Sequence, residues 1–379
     1  MNFGFESYPF EKLRAHFAGL TQNPVLKPLA LTIGEPQFPT PPIILDTLCE
    51  NKAAFSKYPA SAGIPELKAA QIGFVKRRFD VTLNESQLLP TLGTRESLFN
   101  FPQFLLFDRK NPAIAYPNPF YQIYEGAAKA CRAQSVLLDL TAENGFKPDI
   151  NDPRLEGCDL VILNSPNNPT GSVLGLDELI GWVKKAQTCG FVLLGDECYS
   201  EIYDAAPPPS LLQAAIKAGN PTFKNIIVMN SLSKRSSAAG IRSGFVAGDA
   251  EILKGYALYR TYAGNTAGVP LQMAAAAAWG DDLHAEAIRQ KYAQNRQLAR
   301  KMLNVAVPEA TFYLWIFVGD DLAAAKTLYE NYALSVLPGT FLSRGADRLG
   351  YIRLSLVHEP KETEEALKRV AAFLKEWKQ

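Results

Sequence analysis

The chain has 379 residues, of which 47% are hydrophobic, and this is enough apolar material for the cores of two domains of ordinary size. Its 39 basic and 38 acidic side chains leave a net charge of +1, which provides no overall field for attracting nucleic acid or an anionic membrane. The five cysteines are scattered and never spaced as C-x-x-C, so we expect neither a disulfide framework nor a metal site.

No uninterrupted apolar run reaches the ~18 residues that a membrane helix needs. The N-terminal residues also lack the basic region followed by an apolar stretch that marks a secretory signal. We therefore expect a cytoplasmic protein whose partners are small molecules rather than nucleic acid or a membrane.

Residues 1 to about 40 are interrupted by prolines, which prevent a long helix and favour an arm lying on another part of the chain. Within this arm, the stretch of residues 31–36 is predicted to contain a short strand that ends at Gly34. Because glycine lets the backbone approach a ligand closely, Gly34 is a candidate substrate-binding residue. The alternative is a glycine that simply occupies a turn before Pro36.

Between residues 88 and 248, short apolar runs alternate with stretches of helical periodicity, a pattern typical of βαβ units around a largely parallel, buried sheet. Helices are predicted over residues 96–107, 121–131 and 176–189. Ligands of such sheets bind at the carboxyl ends of the strands, and polar candidate residues follow several of these runs. The predicted strands lie near residues 88–92, 112–116, 135–140, 159–164, 191–195, 225–230 and 244–247.

After about residue 280 the pattern changes to that of a smaller α+β unit. Asp281 and Asp282 are expected to cap an amphipathic helix that runs to about Leu303. We therefore expect a large domain of residues 41–282 and a small domain that combines residues 1–40 and 283–379. In the small domain, strands are predicted near residues 311–318, 335–337 and 351–357, with helices over residues 322–332 and from about residue 361.

Lys234 lies in a small polar turn, directly after the apolar run of residues 225–229. Polar residues that precede and follow it supply what pyridoxal phosphate (PLP) requires: a lysine amine, a carboxylate for the ring nitrogen, donors to the ring oxygen and a phosphate cradle. In this interpretation Lys234 anchors the cofactor covalently and moves a proton between the substrate α-carbon and the cofactor. The alternative is a solvated surface lysine.

Asp196 closes the apolar run of residues 191–195, so its carboxylate is expected to be buried, which is costly unless it meets a cation such as a pyridinium. The alternative is an aspartate that caps a following helix. Asn168 and Tyr199 would donate to the phenolic oxygen of the ring, and either could instead be a turn residue.

The phosphate would be bound at a predicted helix start and by hydroxyl and guanidinium groups further along the chain. Tyr121 is expected to stack on the ring face, with core packing as its alternative. Arg353 lies in an otherwise apolar strand and would grip a substrate carboxylate, unless it is simply exposed by strand alternation. The predicted phosphate residues are Gly93, Thr94, Arg95, Ser231, Ser233 and Arg242.

Taken in chain order, the candidate PLP-site residues, together with Pro338-Gly339 before Arg353, resemble the motifs of the aspartate aminotransferase superfamily of fold-type I PLP enzymes. The resemblance extends across essentially the whole chain. The resemblance implies a three-layer α/β/α large domain around a mostly parallel seven-stranded sheet, with a smaller α+β domain. It also implies a homodimer in which Tyr58 reaches the phosphate of the neighbouring subunit's cofactor. Residues 264–266 are expected to cross the interface similarly.

Longer blocks resemble the bacterial N-succinyldiaminopimelate aminotransferases of lysine biosynthesis. That resemblance implies transfer of an amino group from N-succinyl-LL-2,6-diaminopimelate to 2-oxoglutarate. Both substrates carry a distal acid that needs a second cation or donors, and the candidate cations are Arg14, Lys57 and Arg260. The alternatives are an aspartate, aromatic or alanine aminotransferase, a PLP β-lyase, racemase or decarboxylase, and a PLP-binding protein that is not an enzyme. The blocks are residues 8–14, 33–36, 117–126, 196–203, 231–236, 242–249 and 258–262.

Overall fold

The computed structural model describes residues 4–264, 266–345 and 349–377. The strands in chain order are β1 Leu29–Ala30, β2 Leu88–Thr91, β3 Ala113–Asn118, β4 Gln134–Asp139, β5 Leu160–Asn164, β6 Val192–Asp196, β7 Ile226–Ser231, β8 Gly244–Gly248, β9 Tyr313–Phe317, β10 Leu334–Ser335, β11 Leu337–Pro338 and β12 Tyr351–Ser355. The α-helices are α1 Pro9–His16, α2 Pro42–Glu50, α3 Pro65–Phe79, α4 Thr94–Leu105, α5 Ile123–Ala130, α6 Leu176–Cys189, α7 Leu211–Lys217, α8 Leu232–Arg235, α9 Ala250–Ala263, α10 Val269–Gly280, α11 Leu283–Met302, α12 Asp321–Tyr332 and α13 Pro360–Glu376.

Seven strands form one large sheet in the order β2-β8-β7-β6-β5-β3-β4. All neighbours in this sheet pair in parallel except β8, which runs antiparallel to both β2 and β7. The mostly parallel seven-stranded sheet predicted from the sequence is therefore confirmed. Each strand lies within two residues of its predicted bounds.

The large sheet is covered by helices on both faces. Successive residues of β7 point to opposite sides, so that Ile226 and Val228 join one apolar cluster while Ile227 and Met229 join another. The first cluster includes side chains of α3, α6, α7 and α10, and the second includes side chains of α4, α5 and α9. Because both faces are buried, the strands read as continuous apolar runs rather than as alternating ones.

The small sheet contains three antiparallel strands in the order β11-β12-β9, and it packs with α11, α12 and α13 around a separate apolar cluster. β1 pairs in parallel with β10 beside it. The prediction of a single strand over residues 335–337 is wrong, because the chain changes sheets at Val336, leaving β10 paired with β1 and β11 paired with β12.

The predicted strand that begins at Leu31 and ends at Gly34 is also wrong, since the paired strand of the arm is β1, which begins two residues earlier and ends at Ala30. Beyond Leu31 the arm leaves the strand direction, and Pro36 supplies no backbone N–H for further pairing. Gly34 therefore lies in an irregular segment, where its backbone carbonyl faces the site described below.

Asp281 caps α11 as predicted, because its carboxylate accepts hydrogen bonds from the backbone N–H groups of Leu283 and His284, both at 3.2 Å. Asp282 makes no side-chain cap and instead binds Arg77 and Arg235, at 2.8 and 2.7 Å. The division of the chain at residues 40/41 and 282/283 stays a prediction. None of the helices in the described ranges combines the length and the apolarity needed to cross a bilayer.

Candidate active site

A cavity of about 710 Å³ opens where the carboxyl ends of β5, β6 and β7 face the small sheet. Its walls come from the N-terminal arm, the large sheet and β12, which are far apart in the chain. Twelve of the fourteen predicted site residues line it: Gly34, Thr94, Arg95, Tyr121, Asn168, Asp196, Tyr199, Ser231, Ser233, Lys234, Arg242 and Arg353. The two that do not are Gly93, which lies just behind Thr94, and Tyr58.

Lys234 projects into this cavity from α8, a single helical turn that Ser231 caps by accepting a hydrogen bond from the backbone N–H of Ser233. The Lys234 ammonium donates to the backbone carbonyl of Gly34, so the arm touches the reactive amine. Burial lowers the pKa of Lys234 to about 8. A far larger fraction of this amine is therefore neutral and nucleophilic near neutral pH than in a solvated surface lysine.

Asp196 ends β6 and is buried. Its carboxylate accepts a hydrogen bond from the Tyr124 hydroxyl at 2.6 Å and one from the backbone N–H of Cys198 at 3.4 Å. Burial raises the pKa of Asp196, and among the described residues no ion pair compensates its charge. The next α-helix, α7, begins only at Leu211, so the helix-cap alternative is wrong. A buried carboxylate of this kind fits a cationic ring nitrogen.

Asn168 and Tyr199 follow β5 and β6 of the large sheet, and each contacts a side chain of the small sheet. The side-chain oxygen of Asn168 accepts a hydrogen bond from the Arg353 guanidinium at 2.7 Å, which leaves its amide NH₂ group available as a donor. The Tyr199 hydroxyl lies 3.0 Å from the Tyr313 hydroxyl. Both groups line the cavity, so both are placed to donate to a ligand oxygen.

Gly93 and Arg242 build an anion cradle at the start of α4. Gly93 precedes α4 with a φ of +76°, a conformation that favours glycine, and its lack of a side chain lets the Arg242 guanidinium approach its backbone closely. Arg242 donates to the backbone carbonyl of Ala239 at 2.9 Å. The hydroxyls of Ser231 and Ser233 lie 3.0 Å apart beside it. A helix N-terminus, two hydroxyls and a guanidinium fit a phosphate group.

Arg95 and Tyr121 form a contact at the mouth of the cavity. The guanidinium Nε of Arg95 donates to the Tyr121 hydroxyl at 2.9 Å, and its central carbon lies 5.9 Å from the ring of Tyr8. The Tyr121 ring is perpendicular to that of Tyr124, with 5.8 Å between the centroids. The Arg95 side chain is thus engaged with tyrosines, while the backbone at the start of α4 belongs to the anion cradle.

Arg353 is buried on β12, so the alternative of an exposed arginine is wrong. Besides Asn168, its guanidinium donates to the backbone carbonyl of Thr32 at 2.6 Å, and it lies 4.4 Å over the Tyr313 ring. Its Nε has no hydrogen-bond partner among the described residues. An incompletely paired guanidinium in a buried wall of the cavity fits a ligand carboxylate.

Several residues that line the cavity or, like Tyr124, bind a lining residue were not predicted as site residues from the sequence. Tyr8 and Tyr124 belong to the longer blocks that carry the resemblance, and those blocks were the available signal for them. Cys198 holds Asp196 through its backbone, and its thiol lies 3.0 Å from the Thr94 hydroxyl. Tyr313 lies in the predicted strand of residues 311–318, where nothing in the local pattern distinguishes it from a core aromatic.

The three cations considered for a distal acid do not line the cavity. Arg260 is buried elsewhere, donating to the backbone carbonyl of Pro90 at 2.9 Å and paired with Glu96 at 3.3 Å, while Arg14 and Lys57 are exposed. Tyr58 is fully exposed, and its role in a neighbouring subunit's site stays a prediction. In the segment 264–266, Asn265 lies outside the described residues.

Comparisons with known proteins agree with this geometry. The family "Aminotransferase class I and II" matches residues 27–370. The chain is 32% identical to the 4-dedimethylamino-4-oxo-anhydrotetracycline transaminase OxyQ of Streptomyces rimosus, over 91% of this chain and 92% of that protein. It is 30% identical to LL-diaminopimelate aminotransferase 2 of a Nostoc species, over 89% of each chain.

Two solved structures extend the comparison. The aminotransferase AspB of Helicobacter pylori is 51% identical, with a TM-score of 0.96 over 98% of this chain and 99% of that chain. An aminotransferase of Neisseria meningitidis is 39% identical, with a TM-score of 0.92 over the full length of both chains. The cavity residues fit PLP, and the chain belongs to the class I and II aminotransferases, which are PLP-dependent enzymes.

Proposed function

We propose that this aminotransferase moves the amino group of N-succinyl-LL-2,6-diaminopimelate to 2-oxoglutarate, forming glutamate, in lysine biosynthesis. The observation that carries the proposal is a cavity lined by two arginines: Arg353, which is buried beside Asn168, and Arg95, which is exposed beside Tyr8 and Tyr121. Both substrates carry one carboxylate beside the reacting carbon and another at a distance. The long sequence blocks from residue 8 to residue 262 support the same substrate.

In this proposal Arg353 binds the carboxylate beside the reacting carbon through its planar fork. Arg95 binds the distal acid, replacing Arg14, Lys57 and Arg260 in that role. Among the described residues, its two terminal NH₂ groups make no hydrogen bond with the protein, since the contact to Tyr121 uses Nε. The distal acid would thus bind at the open end of the cavity, where a long acyl chain can extend into solvent.

PLP, when bound, supplies an electron-accepting ring conjugated to the substrate amine. Lys234 would hold the cofactor, and its Nζ would serve as the base that takes the proton from the substrate α-carbon. A pKa of about 8 suits this base, because Nζ is then readily deprotonated near neutral pH and still able to return the proton. The carbonyl of Gly34 orients Nζ from the side of the arm.

The remaining side chains hold charges that the reaction needs. Asp196, oriented by Tyr124 and by the backbone of Cys198, would face the protonated ring nitrogen. Asn168 and Tyr199 would donate to the phenolic oxygen, which lowers the proton affinity of the nearby nitrogen. The start of α4, with Ser231, Ser233 and Arg242, would bind the phosphate.

We also propose a homodimer in which Tyr58 completes the phosphate site of the neighbouring subunit. Large apolar side chains are exposed on two adjacent segments, with Phe55 and Tyr58 on one and Leu258 and Tyr262 on the other. These segments touch, because the Ser61 and Thr261 hydroxyls lie 3.3 Å apart. A contiguous exposed apolar patch of this kind is typical of a protein interface.

The substrate is tested by steady-state kinetics with PLP, 2-oxoglutarate and a panel of amino donors. N-succinyl-LL-2,6-diaminopimelate is expected to give the highest kcat/KM, ahead of aspartate, phenylalanine and alanine. Unacylated LL-diaminopimelate belongs in the panel as the second candidate, because relatives named LL-diaminopimelate aminotransferases are about 30% identical over most of the chain. A much higher kcat/KM for any other donor would show that the succinylated substrate is not the one used.

A further inference from the structure

Two buried tyrosines from different parts of the fold meet at the cavity. Tyr199 follows β6 of the large sheet, and Tyr313 begins β9 of the small sheet. Their hydroxyl oxygens lie 3.0 Å apart, and their rings are inclined at 66° with 5.6 Å between the centroids. Burial raises the pKa of both hydroxyls, so both keep their protons at neutral pH.

The Tyr313 ring also carries the guanidinium of Arg353. In the small sheet Tyr313 pairs with Ser355, and Trp315 pairs with Arg353, so Tyr313 and Arg353 are diagonal neighbours on one face. The guanidinium carbon lies 4.4 Å from the centre of the Tyr313 ring. Tyr313 therefore contacts two site residues. The face of its ring lies against Arg353, which is proposed to bind the substrate carboxylate, and its hydroxyl lies against that of Tyr199.

The arm fixes the position of the Tyr313 hydroxyl. A Cβ added at Gly34 would overlap the Tyr313 hydroxyl and approach a ring carbon of Phe312 at 2.8 Å. The carbonyl of the same Gly34 accepts the hydrogen bond from Lys234. Only glycine leaves space for this arrangement, in which one residue of the arm contacts both the lysine and the Tyr313 hydroxyl.

The direction of the hydrogen bond between the two tyrosines follows from the number of protons. Each hydroxyl has one proton to donate and can accept as well. If Tyr199 donates its proton to the phenolic oxygen of the cofactor, as the proposed function has it, then its oxygen can only accept from Tyr313. We infer that Tyr313 is a positioning residue, which donates to Tyr199 and holds it as a stronger donor to the cofactor oxygen.

The expected effect follows from the cooperativity of linked hydrogen bonds. A hydroxyl that accepts one hydrogen bond is polarised and donates a stronger one, by an estimated 10–30% per bond. The bond from Tyr199 favours the negatively charged oxygen and so the deprotonated form of the cofactor's titrating group. Removing the Tyr313 hydroxyl weakens that bond, and the pKa read from the visible absorption of the cofactor-loaded protein rises.

The test is a pH titration of the visible band for the wild type, Tyr313→Phe, Tyr199→Phe and the double variant. Tyr313→Phe keeps the ring against Arg353 and is expected to raise the midpoint of this titration by about half a pH unit. Tyr199→Phe is expected to raise the midpoint further. The charged and titratable neighbours of the pair are Cys198, Arg353, Tyr8 and Tyr292, and none of them is changed in these variants. Circular dichroism checks that each variant is folded.

Tyr292→Phe is the matched control, since Tyr292 is buried in the same apolar cluster and its hydroxyl has no hydrogen-bond partner among the described residues. It is expected to leave the midpoint unchanged. In the Tyr199→Phe background, Tyr313→Phe is expected to add no further shift, because its effect passes through Tyr199.

Three outcomes would overturn the inference, and they separate it from the proposed function. If the titration midpoint shifts in Tyr199→Phe but not in Tyr313→Phe, Tyr313 has no positioning role, and the role of Tyr199 stands. A shift for Tyr313→Phe that persists in the Tyr199→Phe background shows that Tyr313 acts without Tyr199. No shift for Tyr199→Phe removes the proposed role of Tyr199 and the inference together, whereas the substrate assignment is decided by the donor panel alone.

Discussion

The guanidinium of Arg353 donates to the side-chain oxygen of Asn168 at 2.7 Å, and this contact joins β12 of the small sheet to the loop that follows β5 of the large sheet. The two residues are separated by 185 positions in the chain. A residue proposed to bind the substrate carboxylate thus orients a residue proposed to bind the cofactor, so the two binding events share one hydrogen-bond network.

Lys234→Ala is expected to abolish the visible absorption band of the purified protein, because no other lysine lines the cavity among the described residues. Absorbance spectra with added PLP measure this, and circular dichroism checks the fold. Lys217→Ala, at the exposed end of α7, is the control and is expected to keep the band. A normal band in Lys234→Ala would remove Lys234 from its role.

The attachment of PLP to the cofactor-free protein is expected to accelerate as the pH rises through about 8, the pKa to which burial lowers Lys234. The rate increases with pH because the neutral amine is the nucleophile, and the neutral fraction grows as the pH rises past the pKa. Stopped-flow absorbance at a series of pH values gives the midpoint. A midpoint near the ordinary lysine value of about 10.4 would show that the cavity does not lower this pKa.

Arg353→Ala is expected to lower kcat/KM for both substrates. The expected loss of transition-state stabilisation is on the order of 2–5 kcal/mol, the usual cost of leaving one partner of a buried charge pair unmatched. Arg353→Lys is expected to be intermediate, because a lysine keeps the charge and loses the planar fork. Steady-state kinetics with each substrate varied in turn measure the change. Equal kcat/KM for Arg353→Ala and the wild type would contradict the carboxylate role.

Arg95→Ala is expected to reduce kcat/KM for donors and acceptors with a distal acid by up to about fivefold, the range for an exposed ion pair. The loss is expected to diminish at high salt, since exposed charges are screened. Alanine and pyruvate, which have no distal acid, serve as control substrates and are expected to react as with the wild type. A uniform loss across all substrates would place Arg95 in cofactor binding instead.

Subunit mixing tests whether Tyr58 acts in the neighbouring subunit. Lys234→Ala and Tyr58→Ala proteins are each expected to be impaired alone. Refolded together, they are expected to regain activity, because a mixed dimer has one site that contains both an intact Lys234 and a Tyr58 from the other chain. If Tyr58 acted within its own chain, every site in the mixture would carry a defect and no activity would return.

Much of the large domain was predictable because its strands are buried on both faces. Such strands read as short apolar runs whose bounds are local, and the polar residues that follow them collect at one edge of a parallel sheet. This is why Asp196, Asn168 and Lys234 were identified as site residues. Helix α10 was not predicted, because its alanine-rich sequence packs against several elements and has no single polar face to reveal its period.

The remaining features depend on contacts between distant residues. The split of residues 335–337 between two sheets is set by β1 and β12, which are elsewhere in the chain. The placement of Arg95 beside Tyr8 and Tyr121 depends on how the arm crosses the cavity mouth. No local pattern contains that information, since each of these side chains is also common on ordinary helix and loop surfaces.

The amino-acid sequence by itself determined the strands of the large sheet, the lysine and its polar companions, and the enzyme family, because each rests on residue types at short and regular spacing. Only the tertiary structure decided which groups meet. Tyr313 contacts Tyr199 across 114 positions, and Tyr124 binds Asp196 across 72. Such contacts are made by packing whole sheets and helices against each other, and packing is a property of the assembled chain rather than of any segment.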